Sequence, residues 1–379
     1  MMLTDWTSIR CLGVSALLLA CAHWTATPAR ADAEATADLT QVRVLAEQGS
    51  VRDEIALAGD YFTGNGVAQD SKMAAYWYEK AAGHGSPTAQ NEIGYFYQAG
   101  IGVPSDPRRA LHWYQLAASS GFATAKVNLA IVYLRGIGVQ KNDELAVRLL
   151  NQAFQGGNGT AATYLGDLYY FGIAVKQDKV VAERWFESGL KLHDALAAYD
   201  LGLFYSVYTD HPRDLPKAEE LLHQAADAGY VPAMYSLGLL LVNHPELKQG
   251  PQESRTLLES AANAGSWKAS IVLGILSRDG QGTPINTADA YFHFRVAVLQ
   301  GRAEAERVIE QNMDTLAAKL GSEESQTAIS AANAWFAHHS LALAFVYKEG
   351  TTKSDFPTAA VEYAPEGSSA GQLVPLSSS

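Results

Sequence analysis

Residues 89–125 read AQNEIGYFYQAGIGVPSDPRRALHWYQLAASSGFATA, and the alanine that opens the stretch recurs 36 positions later as its last residue. The column continues through Ala161, Ala197, Ala233, Ala269 and Ala305 at the same spacing, with no insertion or deletion. A period that strict predicts a stacked array of structural units. A second column in the same register, Ala58, Gly94, Ala130, Gly166, Gly202, Gly238 and Gly274, holds only the two smallest residues. Close approach of one helix to another demands this. The expected fold is therefore all-α, a solenoid of seven 36-residue helix-turn-helix repeats over residues 54–305.

Within one unit, Ala89, Ile93, Gly94 and Tyr97 fall at three- and four-residue steps and share one face of a helix. Gly100-Ile101-Gly102-Val103 ends that helix, and Gly64/Gly66, Gly136/Gly138 and Gly280/Gly282 stand in the same register. A chain leaving a helix often needs the positive φ that glycine adopts without strain. A nucleotide-binding loop would require a strand before the glycines, whereas here a helix precedes them. The second helix starts from the column Asp70, Asp106, Asn142, Asp178, Asp214, Gly250 and Asn286. These are residue types favoured at helix N-caps. Small residues follow at Ala74, Ala110, Ala146, Ala182, Ala218, Ser254 and Ala290, and then bulky pairs such as Trp77-Tyr78, Trp113-Tyr114 and Trp185-Phe186. Their periodicity marks them as packing residues rather than a ligand-binding aromatic box.

The motif Ile93-Gly94-x-x-Tyr97-x-x-Gly100-x-Gly102-Val103, with Asp106, Ala110, Trp113, Ala117-Ala118 and Gly121, resembles the Sel-one-like repeat, a relative of the tetratricopeptide repeat. The resemblance implies a right-handed α-solenoid that scaffolds protein complexes. Exported bacterial members assist exopolysaccharide secretion or restrain a membrane sensor, and others meet host proteins. A cysteine-rich branch is linked to β-lactam binding, but the repeats of this chain hold no cysteine.

Composition narrows the partners. The 379 residues are 48% apolar and 18% charged, as suits a folded chain. The net charge of −12 repels phosphate backbones, so no nucleic-acid partner is expected. At the N-terminus, Arg10 precedes the apolar run Cys11 to Ala22, and Ala29-Arg30-Ala31 supplies a small-x-small cleavage site. Residues 1–31 are read as a signal peptide, which places the mature protein in the periplasm. A competing reading takes Leu18-Leu19-Ala20-Cys21 as a lipoprotein box, with outer-membrane attachment through an acylated Cys21. Cleavage before Asp32 would remove Cys11 and Cys21, the chain's two cysteines, and leave no thiol for a disulfide, a zinc site or a nucleophile.

The ends read as caps. Residues 32–53 resemble a half repeat, with Gly49 standing 36 before Gly85. Residues 306–339 read as capping helices, built on helical stretches near Ala303 to Leu320 and Ser322 to His339. Residues 340–379, ending in a tail rich in Ser, Gly, Pro and Thr, are expected to be disordered.

If the first helix of each repeat lines the concave side, residues 91, 95 and 98 form a stripe beside the packing face. Equivalent positions give a candidate partner-binding set of Asn91, Tyr95, Gln98, Asp167, Tyr170, Tyr199 and Tyr235, with Arg135 one step further round. The set varies between repeats while the packing columns do not, and Tyr and Arg suit interface hot spots. An ordinary groove wall without a ligand is the alternative. Two consecutive repeats break the turn pattern and carry Tyr208-Thr209-Asp210-His211-Pro212 and His244-Pro245-Glu246 instead. These are read as substitute turns rather than a metal site. No cofactor and no catalytic residues are expected, since nothing fixes carboxylates such as Glu92, Asp167 and Asp200 as a hydrolytic pair. The expectation is an exported interaction scaffold in a bacterial envelope complex, with exopolysaccharide secretion or its regulation as the setting. A host-facing secreted binder and a cell-wall hydrolase remain as alternatives.

Overall fold

The computed structural model describes residues 39–206, 213–247, 251–282 and 284–347. The expected signal peptide, Cys21, Asp210, His211 and the stretch after Tyr347 lie outside them. Every regular element among the described residues is an α-helix, and the chain is an all-α solenoid of helix-turn-helix units. Most first helices pack on the second helix of their own repeat, and most second helices pack on the first helix of the next. The described residues fall into two compact units, 39–197 and 198–347.

In the first unit a helix over 39–47 precedes the pairs Val51–Thr63 with Ser71–Gly83 and Pro87–Ala99 with Pro107–Ser119. Ala123–Arg135 with Asp143–Gln155 and Gly159–Phe171 with Lys179–Lys191 continue the series. The opening helix buries Ala46 completely and is held by Lys80, whose Nζ donates to the Ala46 carbonyl at 3.1 Å. Lys80 also pairs with the fully buried Glu54 at 3.0 Å, and His84 Nδ1 reaches the other Glu54 oxygen at 3.0 Å. A buried carboxylate needs such partners.

The second unit runs from Ala195–Ser206, whose first turn lies across the boundary, through Leu215–Asp227, Val231–Asn243, Pro251–Asn263 and Trp267–Asp279. Helical backbone then continues over Thr287–Tyr347. That run is not straight. Gly321 has φ +77°, and Ser325 Oγ donates to the Ala317 carbonyl at 3.4 Å, eight residues earlier. In an unbroken helix those groups would stand about 12 Å apart, so the chain folds back at Gly321. The helix also extends through Tyr347, into the stretch expected to be disordered from residue 340. The segment Leu341 to Tyr347 contains neither Gly nor Pro, and the next glycine is Gly350.

The two small-residue columns pack the helices within and between neighbouring repeats. All seven alanines of the 36-residue column are fully buried. In the second column each glycine faces the bulky residue twenty positions later. A Cβ built on Gly94 would stand 2.9 Å from the Tyr114 ring, and one on Gly166 or Gly274 would come within 2.5 Å of Phe186 or Phe294. At Gly202 and Gly238 the obstacle is Leu222 or Leu258, both at 2.8 Å. The N-cap column behaves as its residue types require. Asp70, Asp106, Asn142, Asp178, Asp214 and Asn286 each accept from backbone N–H groups in the first turn of the following helix, worth about 1 kcal/mol apiece.

A polar clamp also recurs at the end of the first helix. Tyr97 donates to the Glu79 carboxylate at 3.0 Å and accepts from Arg109 Nη1 at 2.5 Å. Its counterpart Tyr205 accepts from Lys217 Nζ at 2.7 Å. In the last repeat Ser277 takes the position and donates to Asp289 at 2.5 Å, while Arg255 holds the same carboxylate at 3.1 Å.

Candidate functional site

The candidate stripe lies on the first helices, and its members differ in how far they open to solvent. Asn91 is 4% exposed, and its Oδ1 accepts from Nδ2 of the buried Asn128 at 2.8 Å. Asn91 Nδ2 donates in turn to Glu92 at 3.1 Å. Asn91 thus joins neighbouring first helices instead of presenting its amide outward. Asn128 escaped the sequence reading because it stands 37 residues from Asn91, one step off the repeat period. Tyr95 is half-buried and packs against the core, and Gln98 is half-buried with its carbonyl taken by Ser105 Oγ at 3.2 Å. Arg135 is half-buried at the last turn of its helix.

Asp167 and Tyr170 are 6% and 9% exposed. The Tyr170 ring meets Phe171 edge-on at 4.9 Å and lies 5.3 Å from Lys179 Nζ. Glu92, one position round from Asn91, is surrounded by low-dielectric packing. Burial raises its carboxyl above the usual range, and the Asn91 amide only partly opposes this. Burial, with Glu92 and Asp60 nearby, raises the Tyr78 hydroxyl as well.

In the second unit the stripe forms an aromatic cluster. Tyr199 and Tyr235 are half-buried, and the Tyr199 ring meets Tyr230 at 5.1 Å with planes 66° apart. Burial, followed by the proximity of Tyr199, pushes the Tyr235 hydroxyl up to about 12. The Tyr235 phenol therefore stays protonated and acts as a neutral hydrogen-bonding group on an apolar body. Tyr230 was missed by the stripe argument, although the sequence holds a signal for it. It occupies the column Ser86, Asn158, Asp194 and Ser266, whose side chains cap the following first helix, and Tyr230 makes no such cap bond. An aromatic residue at a capping position is spared for another contact.

Among the described residues, no group of three His, Cys, Asp or Glu side chains is placed to hold a metal ion. His244 Nδ1 meets Glu246 at 3.0 Å. Hydrogen bonds from its own backbone N–H and from His244 hold the exposed Glu246 carboxyl below its ordinary value. No helix among the described residues is long and apolar enough to cross a membrane.

Comparison with protein families matches the Sel1 repeat to residues 54–86, 87–122, 123–158, 159–194, 195–230, 231–266 and 267–301. No curated protein matches the chain. Among solved structures, the chain is similar to a Sel1 repeat protein from Oxalobacter formigenes, at 26% identity and a TM-score of 0.50, over 60% of this chain and 99% of that one. It is also similar to c5321, a protective antigen of uropathogenic Escherichia coli displaying an SLR fold, at 24% identity and a TM-score of 0.40, over 84% and 76% of the two chains. A third similarity is to immunity protein Pa5087 from Pseudomonas aeruginosa, at 22% identity and a TM-score of 0.40, over 57% and 75%.

Proposed function

Because this chain belongs to the Sel1 repeat family, whose repeats are protein-interaction scaffolds, we propose that it is an exported adaptor that docks a protein partner on the face of its first helices, within a bacterial envelope complex. The leader-like run Cys11 to Ala22 and the Ala29-Arg30-Ala31 site support export to the periplasm. Exopolysaccharide secretion, or its regulation, is the setting we favour.

The observation that carries the reading is the contrast between columns. The packing positions are filled by one or two residue types and are buried throughout, whereas the stripe beside them changes from repeat to repeat. The Tyr199, Tyr230 and Tyr235 cluster supplies large, stiff, amphipathic side chains, the type on which interfaces concentrate their binding energy. A scaffold needs no further chemistry at that face.

The test is affinity capture from periplasmic extract with the wild-type chain and the Tyr199→Ala/Tyr235→Ala double variant. A partner retained by the first and lost by the second, with unchanged far-UV circular dichroism, is expected. Identical captured proteins would reject this face. Intact-mass measurement of the purified chain tests export separately: a mature N-terminus at Asp32 is expected, a diacylglyceryl Cys21 would replace the soluble form with an anchored one, and an unprocessed Met1 would reject export.

A further inference from the structure

The second unit holds a cavity of about 250 Å³ on the side of its second helices, remote in sequence from the tyrosine stripe. Glu259 and Asn263 line it from Pro251–Asn263, Leu273 from Trp267–Asp279, and Phe292 and His293 from the following second helix. Trp335 reaches it from the chain segment beyond the fold-back at Gly321. We propose that this cavity is a binding site for one neutral pyranose ring, either as a free sugar or as a single residue of a glycan.

Size and the chemistry of the lining residues agree on that ligand. At ~30 Å³ per water, the cavity of about 250 Å³ holds the equivalent of about eight waters, the scale of one sugar ring. A pyranose presents a C–H face that packs on aromatic rings and a rim of hydroxyls that both donate and accept. Trp335 and Phe292 offer aromatic surface. The Trp335 ring is held in place by His339, which stacks on it at 4.1 Å with planes 20° apart. Asn263 both donates and accepts, and Glu259 accepts.

Arg255 is shared between Glu259 and Asp289, so the polar group beside the cavity keeps one negative charge, which disfavours an anionic ligand. Arg255 pairs with Glu259 at 2.9 Å and with Asp289 at 3.1 Å. His293 Nε2 lies 3.6 Å from Asp289, and burial holds this imidazole below its ordinary value, so it is neutral at pH 7 with one donor and one acceptor. Asp289 remains ionised: burial alone would raise it, but Ser277, His293 and Arg255 together hold it below the usual range. Glu259 shares the Arg255 guanidinium, so it attracts a quaternary ammonium less than a free carboxylate would, and tetramethylammonium is the probe that distinguishes this cavity from an aromatic cation cage.

The experiment uses the full chain labelled with 5-fluorotryptophan, followed by fluorine NMR, with the Trp335 signal assigned by its loss in Trp335→Phe. The probes are methyl β-D-glucopyranoside, N-acetylglucosamine, a methyl-capped glucose tetrasaccharide and tetramethylammonium chloride. A ligand of about twelve heavy atoms binds in the millimolar range, so a saturable shift of the Trp335 signal at millimolar sugar is expected. Asn263→Ala, at an exposed position that leaves the fold intact, should weaken it about tenfold. A response to both monosaccharide and tetrasaccharide assigns a ring within a glycan, and a response to monosaccharides alone assigns a free or terminal sugar. No saturable shift with any sugar, a shift caused by tetramethylammonium instead, or unchanged affinity in Asn263→Ala would each overturn the proposal. Capture of a protein partner by the tyrosine stripe is independent of every one of these outcomes.

Discussion

His193 sits at φ +56° in the turn between repeats, where the equivalent residues Gly85, Gly121, Gly157 and Gly229 have φ between +81° and +90°. A Cβ at those four glycines would meet nothing within 4 Å, so a side chain fits and only backbone strain opposes it. Ala174 is the parallel case in the other turn, with φ +61° where Gly102 and Gly138 have +65° and +67°. L-residues in this region cost about 1–2 kcal/mol, part of which glycine returns as unfolded-state entropy. His193→Gly and Ala174→Gly are each expected to stabilise the protein by about 1 kcal/mol in urea titrations. Glu92 gives a pH test. Its folded pKa is raised, so the folded state binds more protons than the unfolded one between the ordinary glutamate value and the folded value. Stability conferred by the protonated form is therefore lost as pH rises through that window. Glu92→Gln should remove this slope and be more stable than wild type at pH 7, as followed by urea unfolding at a series of pH values.

At the scale of the element, the pairing of a small residue with the bulky residue twenty positions later is the contact on which each hairpin closes. Gly166→Ala would drive a methyl group to 2.5 Å from the Phe186 ring, and overpacking of this kind costs about 1–3 kcal/mol. The array contains its own remedy, because Ala130 and Leu150 occupy the equivalent positions and both are fully buried. The double variant Gly166→Ala/Phe186→Leu is expected to recover most of the loss, read as a coupling energy in a double-mutant cycle. Additive effects would show that the two positions do not pack as a pair. This layer of structure was legible from the sequence, since a 36-residue period fixes helix faces, turns and the Asp/Asn caps at once. The stripe was less legible. Periodicity places Asn91 and Tyr170 beside the packing face, but the Asn128 amide that closes over Asn91 is one residue out of register, and the packing of Tyr170 against Phe171 is not periodic.

For the molecule as a whole, a stack stabilised by neighbour contacts has a property that a single core lacks: one complete unit can be removed and its neighbours still meet through the same columns. The sequence displayed the units but not how the array ends. The last helical run turns at Gly321 and brings Trp335 to a cavity beside Phe292 and His293, contacts that belong to no repeat column. The central claim is that register, more than any particular residue, specifies this fold. Excision of residues 123–158, one full repeat, tests it most directly against excision of residues 123–152, which breaks the period. In urea unfolding the account predicts that the 36-residue deletion stays cooperatively folded with an m-value lower by about a tenth, while the 30-residue deletion loses its cooperative transition. Equal behaviour of the two deletions, whether both fold or both fail, would contradict it.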